Sequence, residues 1–158
     1  MKVRSGTKIT DNVIVTLTDS ITGKERAFSS HNLALNYANS AFAQWIGGKN
    51  NLGYQPVSPP TQIQLGSGSG TPSVTDPGLF TPIAGTLFPF SYNQQNSPVS
   101  GTTTFIFQIP SGIVSTLVTE VLFRDTSANP WFHTMLPVPF TPLITENITI
   151  QWSITFSA

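Results

Sequence analysis

From Asn147 to Ser157 the chain alternates without a break. Ile148, Ile150, Trp152, Ile154 and Phe156 fall between Asn147, Thr149, Gln151, Ser153, Thr155 and Ser157. Successive side chains of a β-strand point to opposite faces, so this stretch predicts a strand with one apolar and one polar face. The polar face carries hydroxyls and amides but no charge, although a free edge strand ordinarily needs charge to deter pairing. Two arrangements satisfy the pattern: the strand is central in its sheet, or something covers its second face.

The same period of two recurs upstream. Ile9 to Asp19, the turn residues Asp19 to Lys24, and Glu25 to Ser29 predict a β-hairpin. Thr61 to Leu65, Thr86 to Tyr92, Thr102 to Ile109 and Ile113 to Arg124 predict further strands. Trp131 to Val138 follows as a hairpin partner across the turn at Asp125–Pro130. Pro137, Pro139 and Pro142 each remove a ladder donor, which predicts an edge or a crossing there. A helical period appears only once, over about 32–46. Leu33, Tyr37, Ala41 and Trp45 recur every four residues, Ser30 or Asn32 stands ready to cap, and Gly47–Gly48 ends the run. The chain therefore predicts a mainly β domain, an antiparallel β-sandwich or open barrel of about 7–9 strands with one helix packed on it. Its 158 residues form a single domain, 1–30 an N-terminal hairpin or arm and 31–158 the core.

Composition sharpens this picture. Only 9% of residues are charged and the net charge is zero, against roughly a quarter charged in a typical soluble domain. Neutrality removes any electrostatic footprint for nucleic acid or an anionic membrane. A monomer with so few charges self-associates readily, so much of this surface is expected to lie against other protein chains. The charges that exist concentrate near the N-terminus, in Lys2, Arg4, Lys8, Asp11, Asp19, Lys24, Glu25 and Arg26. There is no cysteine, no apolar run of membrane-spanning length and no apolar leader. These features lead us to expect a product of a cytoplasm with no membrane partner. The predicted interaction surface is the neutral polar side of the helix, Asn36, Asn39 and Gln44, together with that of the closing strand, Thr149, Gln151 and Ser153.

Candidate chemistry is sparse. The run Gly66–Ser67–Gly68–Ser69–Gly70 leads into Thr71–Pro72 rather than a helix and lacks a following Lys, which argues for a turning connector over a phosphate loop. His31 and His133 are the only histidines and have no metal-ligand spacing, so no metal or cofactor is expected; His31 is read as bonding backbone at the helix start. Glu120 stands alone in a long apolar neighbourhood. It either pairs with Arg124 on the same strand face or accepts backbone N–H bonds in a bend. No second carboxylate or nucleophile accompanies it at a recognisable spacing, so catalysis is not expected. Trp131, Phe132, Phe88, Phe90 and Tyr92 read either as core or as a carbohydrate- or receptor-binding platform.

Four stretches, in order, resemble a family of small structural proteins of tailed-bacteriophage virions, found as tail-fibre or tail-collar modules. They are His31–Asn32–Leu33 running into Asn36; Ile63 to Pro72 with Asp76 and Leu79; Val118 to Phe123; and Ile150 to Phe156. The third departs from the family pattern, lacking the usual Gly before Leu122. The resemblance implies a virion protein made in a bacterial cytoplasm that works by contact rather than catalysis. Its implied partners are itself, as a trimer or higher homo-oligomer, and other virion proteins of the tail, collar or capsid. The alternative expectation is a carbohydrate- or receptor-binding adhesin module at the host-contacting surface.

Overall fold

The computed structural model describes residues 8–31, 33–46, 60–90, 92–94 and 101–157. The elements run β1 (Lys8–Asp19), β2 (Glu25–Ser30), β3 (Leu33–Ala34), α1 (Asn36–Ile46), β4 (Gln62–Gly66), β5 (Pro82–Pro89), β6 (Tyr92–Gln94), β7 (Thr102–Ile109), β8 (Val118–Arg124), β9 (Pro130–Phe140) and β10 (Glu146–Ser157). They form two antiparallel sheets, ordered β2-β1-β10-β7-β6 and β3-β9-β8-β4-β5. The fold is therefore the mainly β, sandwich-like architecture that the alternation predicts. Setting aside the two-residue β3 and three-residue β6, the remaining strands match the expected number.

The core lies between the sheets and is rich in rings. Val13, Val15 and Leu17 from β1, Ile148, Ile150 and Trp152 from β10, and Phe107 from β7 face Ile63, Leu65, Val121, Phe123 and Phe132 of the second sheet. Phe123 packs at 4.9 Å from Trp152 and 5.3 Å from Phe107, centroid to centroid, and Phe132 lies 5.8 Å from Trp152. Tilted and edge-on contacts at these separations are the favoured arrangements of aromatic quadrupoles. Along one seam Phe28 of β2 stacks on Phe140 of β9, while the Ser30 hydroxyl bonds Thr134 and the Met135 carbonyl.

β10 is the third of five strands, hydrogen-bonded to β1 through Lys8↔Ser157 to Asp19↔Glu146 and to β7 through Ile148↔Ile109 to Thr155↔Thr102. A central position accounts for the missing edge charge: both of its backbone edges are already paired.

Three expectations are corrected. The helix begins at Asn36 rather than about 32, because Leu33 and Ala34 pair as a short strand with His133 and Phe132. Ser30 does not cap it; the Asn36 N–H donates instead to the Val74 carbonyl at 2.8 Å. Strand β8 begins at Val118, not Ile113, and the preceding residues form a loop with Ile113 and Leu117 exposed. Finally, β9 runs through Pro137 and Pro139. Val118 opposes Phe140 while Glu120 opposes Met135, so residues 136–139 face Thr119 alone and the prolines sit in a register shift, the break in regularity that their missing donors predict. The predicted helix stop at Gly47–Gly48 lies outside the described residues.

Candidate functional site: a neutral open face and a buried carboxylate clamp

The side chains of β1, β10 and β7 that point away from the core make one continuous face. Among the described side chains it comprises Thr10, Asn12, Ile14, Thr16 and Thr18; Asn147, Thr149, Gln151, Ser153 and Thr155; and Thr102, Thr104, Ile106 and Gln108, without one charge among them, while at its β2 border the exposed Glu25 accepts from the Thr18 hydroxyl at 3.2 Å. Hydroxyl pairs tie neighbouring strands across it, Thr102 to Thr155 at 2.8 Å and Thr104 to Ser153 at 2.9 Å. One cross-strand row carries its apolar content: by register Ser29, Ile14, Gln151 and Ile106 lie side by side. At one end of the face Thr18, Gln108, Pro110, Asn147 and Thr149 line a shallow cleft of about 370 Å³.

Thr149, Gln151 and Ser153 thus lie together in the middle of this face, each half-buried by its neighbours. Asn36 and Asn39 are exposed and Gln44 is half-buried, but all three ride on a helix that packs on β9 of the other sheet. The structure separates the two predicted groups into two surfaces. The helix is held by Phe42, edge-on to Trp131 at 5.5 Å, and by the Tyr37 hydroxyl, 3.2 Å from Asp125 and 3.1 Å from the Asn129 amide. Burial and the adjacent Asp125 carboxylate push the Tyr37 phenol above its ordinary pKa.

The second sheet is covered differently. Glu120 of β8 is fully buried beneath the segment 67–81, which crosses the outer side of its own sheet. Its Oε1 accepts N–H bonds from Gly68 and Thr81, each at 2.9 Å, and its Oε2 accepts from Phe80 at 3.0 Å. His133, next along on β9, places Nε2 at 2.9 Å from the same Oε2 and Nδ1 at 3.2 Å from Asp76 Oδ2. In its imidazolium form His133 donates to both carboxylates at once. Phe80 covers the ring, with centroids 5.1 Å apart. Burial alone would raise the Glu120 pKa. The N–H groups of Thr81 and Phe80, the His133 ring and the Gly68 N–H outweigh it and hold the carboxyl below the ordinary glutamate value.

This clamp accounts for the glycine-rich run. A Cβ on Gly66 would fall on the Glu120 carboxylate, and one on Gly68 would lie 2.6 Å from its Oε1 and 2.9 Å from the Thr81 nitrogen. These two glycines are needed because backbone and carboxylate approach closely, not because their backbone angles demand it. Of the two arrangements expected for Glu120, acceptance of backbone N–H bonds is the one adopted, while Arg124 donates to Gln64 at 3.2 Å. His31 does bond backbone, but at the Asp11 carbonyl of β1 rather than at the helix start.

The sequence reading missed His133 as the partner of Glu120 and Asp76 as the second partner of His133. In the sequence Asp76, followed by Pro77 and Gly78, signals a turn, and His133 stands alone. Their meeting depends on pairing between strands β8 and β9 and on the course of segment 67–81.

Asp76, His133 and Glu120 do not converge on a point, because the histidine spends its two nitrogens in opposite directions. Among the described residues no cluster of His, Cys, Asp or Glu is arranged to hold a metal ion. No helix of the described residues is long and apolar enough to cross a membrane. The aromatic platform is not assembled on the surface: Trp131 and Phe132 are fully buried, while Phe88 and Phe90 pack against the core. The Tyr92 side chain lies outside what is described.

The fold and these two features define an antiparallel two-sheet β-sandwich with one sheet face open and the other sealed by a carboxylate-clamped loop. No family model, no curated protein and no solved structure matches the chain.

Proposed function

We propose that the chain is an accessory structural protein of a tailed-phage virion, acting through homo-oligomeric and protein–protein contacts rather than catalysis. Its place would be the tail or collar, or the capsid surface as a decoration subunit. The observation that carries this reading is the uncharged open face across β1, β10 and β7. In water such a face gains nothing from lacking charge, whereas at an interface every buried charge would have to be desolvated and paired.

Two further features support the reading. Ile21, Ile113, Leu143 and Ile144 are all exposed, Ile144 at 81% and Ile21 at 79%. They occupy three loops at one end of the sandwich, where the Ser20 N–H bonds the Thr145 carbonyl and Gly112 lies near Ile144. In addition, two of the four stretches that resemble the phage family meet at the Glu120 clamp, Gly68 of the glycine-rich stretch donating its N–H to Glu120 of the Val118–Phe123 stretch.

Imaging and mass spectrometry of purified particles, with and without this protein, test the proposal. The expected result is a discrete density at symmetry-related positions that disappears when the protein is deleted. A monomer absent from particles that binds host glycans would replace this reading with that of an adhesin.

A further inference from the structure

Resting on the reading of the open face as an interface, we propose that its occupant is the same face of a second copy, related by a two-fold axis lying in the interface plane and passing through Gln151. Two properties of the face point to this partner. The first is self-complementarity. In an isologous contact each group meets the same surface again, so a charged face opposes itself. Thr, Ser, Asn and Gln side chains carry donor and acceptor together and can satisfy their own kind. The face is built from these residues and isoleucine, and from nothing else between Thr10 and Thr18 on β1, Asn147 and Thr155 on β10, and Thr102 and Gln108 on β7.

The second property is the central row. Gln151 sits on the middle strand with Ile14 on one side and Ile106 on the other. An in-plane two-fold axis through Gln151 sets the two carboxamides against each other, where each can donate one N–H to the other's carbonyl oxygen. Isoleucine then meets isoleucine when the axis runs along β10 or at right angles to it. Along β10, Ile14 lies over Ile106 of the second copy; across the strands, each lies over itself. Such a pair can stand alone or serve as the repeating contact of a larger assembly.

Light scattering coupled to size-exclusion chromatography tests the proposal on the full chain. The wild type is expected at twice the chain mass at micromolar concentration, and Gln151→Glu or Thr149→Lys at the chain mass, with the melting temperature and circular dichroism retained. Ile21→Lys, at the loop end, should leave the dimer intact. Because the chain has no cysteine, Gln151→Cys supplies an independent measurement: a short bismaleimide should join two chains through this single position. A wild-type monomer, a dimer indifferent to Gln151→Glu, or failure of the cross-link in a dimeric sample overturns the two-fold contact. If particles still contain the protein in that case, the virion reading survives. A Gln151-dependent dimer in a protein absent from particles has the opposite consequence.

Discussion

At the residue scale the molecule turns on Glu120. A buried carboxylate is expensive unless its lone pairs are filled, and this one is offset by three backbone donors and an imidazole. Glu120→Gln keeps the shape but replaces one acceptor oxygen by an NH₂ group aimed at other donors. We expect it to cost about 2–4 kcal/mol of unfolding free energy in urea titrations, with new proteolytic cleavage between 67 and 81. Gly68→Ala should cost about 1–3 kcal/mol by overpacking, whereas Ser69→Ala, at an exposed neighbour, should stay within about 0.5 kcal/mol. Equal effects of the two substitutions would remove close approach as the reason for glycine at 68.

The sign of the pH dependence follows from the same groups. Glu120 and Glu146 are held below the ordinary glutamate value, Glu146 first by its hydrogen bonds from Arg26. Asp19 is lowered to about 2, chiefly by the Thr22 N–H and the Thr145 hydroxyl. A carboxylate whose folded pKa is depressed contributes stability that is complete above its unfolded value and is lost as pH falls through the folded one. The melting temperature should therefore be flat near neutrality and fall from roughly pH 4.5 down towards pH 2. Glu120→Gln should flatten that slope. A melting temperature that rises on acidification would contradict the ionised clamp.

At the element scale, pairing overrode local preference in two places. Leu33 continues the helical spacing of Tyr37 and Ala41, yet its backbone and that of Ala34 serve the β9 ladder, so helix α1 starts later. Pro137 and Pro139 predict an edge or a crossing, and there the strand continues through a shift of register against β8. Helix α1 is tied at both levels, by its rings to Trp131 and by Tyr37 to the Asp125 turn. Strand β10 obeyed its pattern throughout, because burial on one side and pairing on both edges demand the same thing of it. Trp152, fully buried against Phe123 and Phe132, should cost about 3–5 kcal/mol when replaced by Ala. Thermal unfolding measures this, and an unchanged melting temperature would contradict the core described here.

At the scale of the whole molecule, the two sheets treat their outer faces oppositely. One is sealed by the chain's own segment 67–81, clamped through Glu120; across β1, β10 and β7 the other is left to hydroxyls, amides and two isoleucines, with Glu25 at its β2 border. The alternation of apolar and polar residues, with its single helical interval, was enough to determine a β-rich two-layer architecture, because period reports which side of an element faces a core. The closing strand's lack of charge was equally legible in Thr149, Gln151 and Ser153. Which surfaces those residues join was not, since Asn36 and Gln151 differ in neighbourhood only after the sheets are ordered. The Glu120 clamp was half legible: an isolated carboxylate and a glycine run were visible, but nothing local linked them. Their bonds cross 39 to 52 positions of sequence, from Thr81, Phe80 and Gly68 to Glu120. Periodicity is a property of neighbours along the chain and is written in the sequence, whereas contact between distant positions exists only once strands have chosen their partners.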